Sequence, residues 1–280
     1  MEHRIVGDFR VTLVRSGVYY WDGGVLFGVV PKSLWSRLVE ADEWNRIPLG
    51  FNTYVIETGD RTVVVETGGG DKMDARAYER MRLSCPPPSL PEALEQSGFD
   101  PESIDVVINS HLHWDHCGWN TERGPRGVRP CFPNATYYAR RGEWEYAHTR
   151  HPRDAVSYID DNYDPLVASG KMILLEDDGE VLPGIRLDRV SGHNRDMMVL
   201  RAESQGATFC FLADLLPTAA HVTPTWVTAF DLYPLESIDN KLKWLDLAAK
   251  GHWLMGFSHD SKQAFGRVEK RDGKWIMNPA

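Results

Sequence analysis

Four short apolar runs in this chain each end in a residue that binds metals or carries protons. "VVINSHLHWDH" closes on His111, His113, Asp115 and His116. "IRLDRVSGH" closes on His193, "TFCFLAD" on Asp214 and "WLMGFSH" on His259. Brief, β-branched and apolar, such runs read as buried strands. Layered sheets leave room for ligands at strand ends, so four such endings point to one site built from residues far apart in the chain.

The first run carries the densest chemistry. In an extended chain the side chains of 111, 113 and 115 share one face, so His111 and His113 point together at one ion. His116 breaks that period and joins the group only through a turn, for which Gly118 is suited. Two neighbouring sites follow: a pair of imidazoles, then an aspartate with a third imidazole.

Charge narrows the partners. With 280 residues and a net charge of -9, the chain lacks the basic balance that nucleic acid or an anionic membrane would select. The expected partner is a small molecule, and homodimerisation stays open. No run reaches the roughly 18 apolar residues of a membrane span. "MEHRIVGDFRVTLVRSG" has charges where a signal peptide has its apolar core, so a cytoplasmic protein is expected. Cys85, Cys117, Cys131 and Cys210 fit neither a zinc ribbon nor a redox pair and read as free thiols. Cys117, beside the histidines, is either a partner of the site or a packing residue.

"FNTYVIETGDRTVVVETGGG" reads as a hairpin around Gly59-Asp60, its second strand ending in glycines that hold the backbone close to something. "SLPEALEQSGF" reads as a helix with Ser89 as N-cap and Pro91 in its first turn. "RRGEWEYAHT" and "PRDAVSYIDDNYDPLVASG" read as helical, and residues 120–170 are expected to form a cap or insertion. "LESIDNKLKWLDLAAKG" is a helix stopped at Gly251. No linker divides the chain, so one domain over 1–280 is expected, with helices layered on a sheet core.

"HLHWDH" at 111–116, followed by His193, Asp214 and His259 in that order, resembles the metallo-β-lactamase superfamily of metallohydrolases. The upstream "VVVETGGG" is similar to that family's strand ending in Asp-Thr-Gly, with Glu66 in place of the aspartate. "SGHNRDMM" departs from the turn the family often has after its third histidine. The resemblance implies an αββα four-layer sandwich: two mixed sheets between outer helices, with a dinuclear metal site at one edge. Carried over by position, one ion takes His111, His113 and His193, the other takes Asp115, His116 and His259, and Asp214 bridges them. Zn²⁺ is the expected ion, with Fe and Mn as alternatives. Two such ions make a bridging hydroxide near neutral pH, which attacks a carbonyl or phosphoryl centre without a side-chain nucleophile. Asp115 is also suited to hold or receive that water's proton.

"ADLLPTAAHVTPTW" and the long N-terminal part look similar to the branch of N-acyl homoserine lactone lactonases and methyl parathion hydrolase. That implies ester, lactone or phosphotriester cleavage. His221, seven residues past Asp214, is expected to reach the pocket and orient substrate or protonate the leaving group, against an equal expectation that it is structural. "WDGGVLFG" at 21–28 is a candidate pocket loop. Alternatives within the fold are a glyoxalase II-like thioesterase, an iron-dependent sulfur dioxygenase and a non-hydrolytic diiron sensor.

Overall fold

The computed structural model of the chain describes residues 2–125 and 127–280. The strands of its first half are β1 (Glu2–Val6), β2 (Phe9–Asp22), β3 (Arg46–Glu57), β4 (Thr62–Val65) and β5 (Val106–Ile108), a small ribbon of β6 (Thr121–Gly124) and β7 (Gly127–Pro130), then β8 (Thr136–Arg140) and β9 (Met172–Leu175). The second half carries β10 (Gly179–Leu182), β11 (Ile185–Val190), β12 (Met197–Ser204), β13 (Ala207–Phe211), β14 (Leu254–Gly256), β15 (Phe265–Arg271) and β16 (Lys274–Pro279). The helices are α1 (Gly23–Phe27), α2 (Lys32–Trp35), α3 (Ala75–Arg80), α4 (Leu90–Gln96), α5 (Trp114–Cys117), α6 (Arg141–Ala147), α7 (Asp164–Ala168) and α8 (Pro234–Lys250).

Two seven-stranded sheets form, in the orders β1-β2-β3-β4-β5-β8-β9 and β10 through β16. Both are mixed: β4, β5, β8 and β9 run parallel, as do β13 and β14, and the other pairs are antiparallel. Alternation along each strand divides the first sheet's side chains. Tyr54, Ile56, Val63, Val65, Val106 and Ile108 pack with residues of the second sheet, such as Leu187, Val199 and Phe209. Val55, Val64 and Val107 face the other way, onto Leu90 and Leu94 of α4, Ala147 of α6 and Leu166 of α7. Period-two side chains on a strand buried on both faces produce this. Trp244, Leu245 and Ala248 bring α8 onto the second sheet. The αββα expectation holds.

Local signals behave mostly as expected. β3 and β4 pair as the hairpin. Ser89 Oγ accepts from the amide of Glu92 at the start of α4. The 152–170 stretch differs: instead of one helix it forms 3-10 turns at Ala155–Ser157 and Asp160–Asn162, then the short α7. Pro165 restarts the helix because it lacks an N–H and disfavours helical geometry in the residue before it. Residues 120–170 form only partly a cover, since β8 lies inside the first sheet. α8 stops at Gly251, but Gly251 is right-handed (φ -85°) and His252 takes the left-handed turn at φ 52°.

Candidate metal centre

The segment after β5 does not stay extended to Asp115 as its alternation suggested. His113 is extended (φ -64°, ψ 150°) and caps α5, whose single turn then carries Asp115 and His116. His111 and His113 therefore project from an extended stretch and the next two donors from a helical turn. The glycine turn explains why this bend holds. Gly70 has φ +70°, and a Cβ on Gly118 would stand 2.2 Å from the carbonyl carbon of Gly69. Only glycines permit that approach. The amide of Gly118 donates to Gly68 O at 2.7 Å and that of Thr67 to His116 O at 2.7 Å, pinning α5 against the end of β4.

Seven side chains converge here. His111, His113 and His193 form one cluster, Asp115, His116 and His259 another, and Asp214 joins His111 and His116 in a third grouping. Nδ1 of His113 lies 3.1 Å from Nε2 of both His111 and His193. Nε2 of His116 and His259 are also 3.1 Å apart. Asp214 stands between: Oδ1 is 3.3 Å from Nε2 of both His116 and His259, and Oδ2 is 3.6 Å from Nε2 of His193.

The neighbours of these rings decide what the converging nitrogens can be. His193 Nδ1 donates to Asp231 Oδ1 at 3.1 Å. His259 Nδ1 donates to the carbonyl of Gly50 at 3.1 Å. A neutral imidazole that gives its one proton outward keeps a bare lone pair on the other nitrogen, so neutral His193 and His259 each aim an Nε2 lone pair into its cluster. Nitrogens 3.1 Å apart with lone pairs inward lie near the roughly 3.3 Å edge of a tetrahedron whose metal–nitrogen bonds are about 2.0–2.1 Å. The donor set fits divalent cations at both clusters.

Electrostatics divide the donors: His111 and His113 are held neutral, whereas against burial the carboxylates raise the pKa of His116 and His193. Burial, then the neighbouring imidazoles, hold His111 and His113 well below the ordinary histidine range, leaving them neutral. Burial disfavours ionised Asp214, but His116 and His259 outweigh it and hold its carboxyl well below the usual value. For His116 burial is likewise outweighed, by Asp214, Glu66 and Asp115, and its pKa is raised well above normal. Its Nδ1 faces Glu66 Oε2 at 3.3 Å, and neither atom has a hydrogen-bond partner. Glu66 Oε1 accepts from the amide of Ser110 at 3.0 Å. Its left-handed backbone, φ 62°, sets that reach.

The site opens into a cavity of about 360 Å³ lined by Trp21, Leu26, Met73, Met81, Ile159 and Phe230 among others. Val156, Ser157 and Ile159 of the 3-10 region form part of its wall, as does the expected 21–28 loop through Trp21 and Leu26. Tyr19 was not foreseen. Its hydroxyl donates to Asp115 Oδ2 at 2.9 Å. Burial, then Asp115 and Asp214, push that hydroxyl well above its ordinary pKa, so it stays a donor. Asp231 and Glu143 were also missed, having no strand-end signal. Glu143 Oε1 accepts from the amide of Leu112 at 3.1 Å, Tyr158 at 3.0 Å and Asn194 at 2.9 Å, tying the two histidine segments together. Cys117 is buried, and its thiol donates to Leu112 O at 3.3 Å.

His221 does not reach the cavity. It is fully buried and stacks on Phe27 with centroids 4.6 Å apart. Its Nδ1 meets Thr218 Oγ1 at 2.8 Å and its Nε2 donates to Leu26 O at 2.8 Å. With both nitrogens engaged it is a clamp between the loop after β13 and α1, and the expected substrate contact gives way to that role.

Stacked mixed sheets with paired cation-ready clusters at one edge define a metal-dependent hydrolase. The chain belongs to the metallo-beta-lactamase superfamily, whose family model matches residues 47–259. It is 27% identical over 242 residues to an N-acyl homoserine lactonase, AiiB, of Agrobacterium fabrum strain C58, covering 81% of this chain and 85% of that protein. Among solved structures, a probable metal-dependent hydrolase from Staphylococcus aureus superposes with TM-score 0.88 at 29% identity, covering 99% of both chains. AidC, a dizinc quorum-quenching lactonase in complex with a product, shares the fold with TM-score 0.81 at 17% identity, covering 100% of this chain and 97% of that one. Among the described residues no helix is long and apolar enough to cross a membrane.

Proposed function

We propose that the protein opens a lactone or ester of an apolar acyl compound, using two divalent cations held by His111, His113 and His193 on one side, Asp115, His116 and His259 on the other, and Asp214 between. The observation that carries this reading is the double cluster sharing Asp214 at the wall of an apolar cavity. Cations held there would supply Lewis acidity and would lower the pKa of a bound water to about 7. Zn²⁺ suits the imidazole-rich donor set, with Fe and Mn as alternatives. The chain's own residues do the rest. Neutral His111 and His113 offer lone pairs, and ionised Asp214 offers one oxygen to each side. Asp115, with 16% of its side chain exposed, is the most open of the seven and receives a proton at a carboxylate oxygen facing the cavity. Trp21, Leu26, Met81 and Phe230 exclude water and hold the acyl part. The lactonase named above supports the choice of bond.

The test is a panel of lactones, aryl esters, phosphotriesters, thioesters and a cephalosporin, run on protein of known metal content. Lactone or ester turnover with two Zn²⁺ per chain is the expected result. Preference for phosphotriesters or thioesters moves the assignment to those bonds. One iron with oxygen uptake, or two irons without hydrolysis, overturns it in favour of a dioxygenase or a sensor.

A further inference from the structure

The candidate ligands differ in what steadies them. His193 leans on Asp231, His259 on Gly50 O, and Asp214 on Ser258, whose hydroxyl donates to Oδ1 at 2.8 Å. Ser110 Oγ stands 3.0 Å from Nδ1 of His111. Asp115 is the open one, at the start of a one-turn helix, and its carboxylate makes a single hydrogen bond among the described residues. That bond comes from Tyr19. Its distances to His116 and His259, 3.9 and 3.7 Å, are too long to fix it.

Tyr19 is built to deliver this contact. β2 carries a bulge between Arg15 and Val18, where Arg15 pairs with Asn52 but Val18 pairs with Gly50. One extra residue there re-aims the side chains that follow. The Tyr19 ring then stacks on Phe51 (centroids 4.5 Å, planes 15° apart) and meets the edge of Trp114 at 5.7 Å. Three per cent of Tyr19 is exposed, and it lines the same cavity as Asp115, His259 and Asp214. It also lies outside the residues the family model matches. Through Tyr19, β2 thus reaches into the candidate metal centre from outside the residues the family model matches.

We infer that Tyr19 is the positioning residue of the Asp115–His116–His259 side of the centre: its hydroxyl holds Oδ2 of Asp115 and so presents Oδ1 toward the cation, while the three-histidine side is independent of it. The inference rests on the two-cation reading above. Groups hydrogen-bonded to metal ligands set ligand orientation, and their loss costs about 10–100-fold in affinity.

The experiment is stepwise Zn²⁺ titration of metal-free protein against a chromophoric chelator, for the unaltered chain, Tyr19→Phe and Asp115→Ala. Phenylalanine keeps the stack on Phe51 and Trp114, and thermal melting of the metal-free forms checks that packing survives. One of the two binding steps should weaken about 10–100-fold in Tyr19→Phe with the other unchanged, and the step affected should be the one that Asp115→Ala weakens. Adding Tyr19→Phe to Asp115→Ala should then cost nothing further. Two unchanged steps in Tyr19→Phe, or equal weakening of both, overturns the role. An unaltered chain that binds fewer than two ions refutes the two-cation reading itself, a separate outcome.

Discussion

Asp231 accepts the Nδ1 proton of His193 at 3.1 Å although 38 residues separate them. The same carboxylate accepts from Thr228 at 2.8 Å and Ser237 at 2.6 Å. Burial opposes its charge, but the bond from His193 and the two hydroxyls prevail and hold its pKa below normal. Fixed this way, His193 keeps its Nε2 lone pair aimed at His113. Asp231→Asn should weaken cation binding at the three-histidine side about 10–100-fold, read by chelator competition.

Asp214 faces both clusters through separate oxygens. Asp214→Ala should lower bound metal below two ions per chain and remove hydrolysis together, measured by elemental analysis and turnover on the best substrate of the panel. Full activity with two ions retained would refute the shared-carboxylate arrangement.

His221 clamps the loop after β13 onto α1 rather than touching substrate. His221→Ala leaves a cavity beside Phe27 and strips Leu26 O of its donor. The expected loss is about 2–4 kcal/mol of stability by urea unfolding. Turnover well below the melting temperature should change only a few-fold.

Phe230 stands beside Trp21 at the cavity wall, centroids 6.4 Å apart and 39% exposed. Phe230→Ala should cost long-chain acyl substrates on the order of tenfold in kcat/KM while sparing short ones, because about 1–2 kcal/mol of apolar contact is removed only where a chain reaches it. An acyl-length series checks this.

Lys241, on α8, is buried and donates to Trp226 O at 2.7 Å and His221 O at 3.3 Å. Burial pushes its pKa down from 10.5 to about 8 against the pull of Asp231. The folded ammonium therefore releases its proton before the unfolded one does. Between pH 8 and 10.5 the unfolded state binds more protons, so this group makes stability rise with pH across that window. Its cost is fully present below the folded value. Lys241→Met should abolish a rise of about 3 kcal/mol, seen by comparing urea unfolding of the two chains over that range.

The four strand endings, the His-x-His-x-Asp-His cluster and the β3–β4 hairpin were legible because each is a local pattern: apolar alternation, a turn dipeptide, donors crowded at a run's end. Even the glycines after Thr67 announced a close approach, though not that Gly118 was the neighbour. The sequence alone thus determined the layered class and which candidate metal ligands gather at one place. Tertiary structure decided the rest. The one-turn helix at Trp114–Cys117 depends on packing against the glycine turn, which no window around 111–116 contains. His221 stayed open between substrate contact and a structural role because its distance from Asp214 along the chain says nothing of which way its ring turns; Thr218, Leu26 and Phe27 decide that. Tyr19, Glu143 and Asp231 escaped notice because a supporting hydrogen bond leaves no periodic mark. Its partners are set by where the β2 bulge, α6 and the loop before α8 meet in space, and only burial of the whole sandwich brings them there.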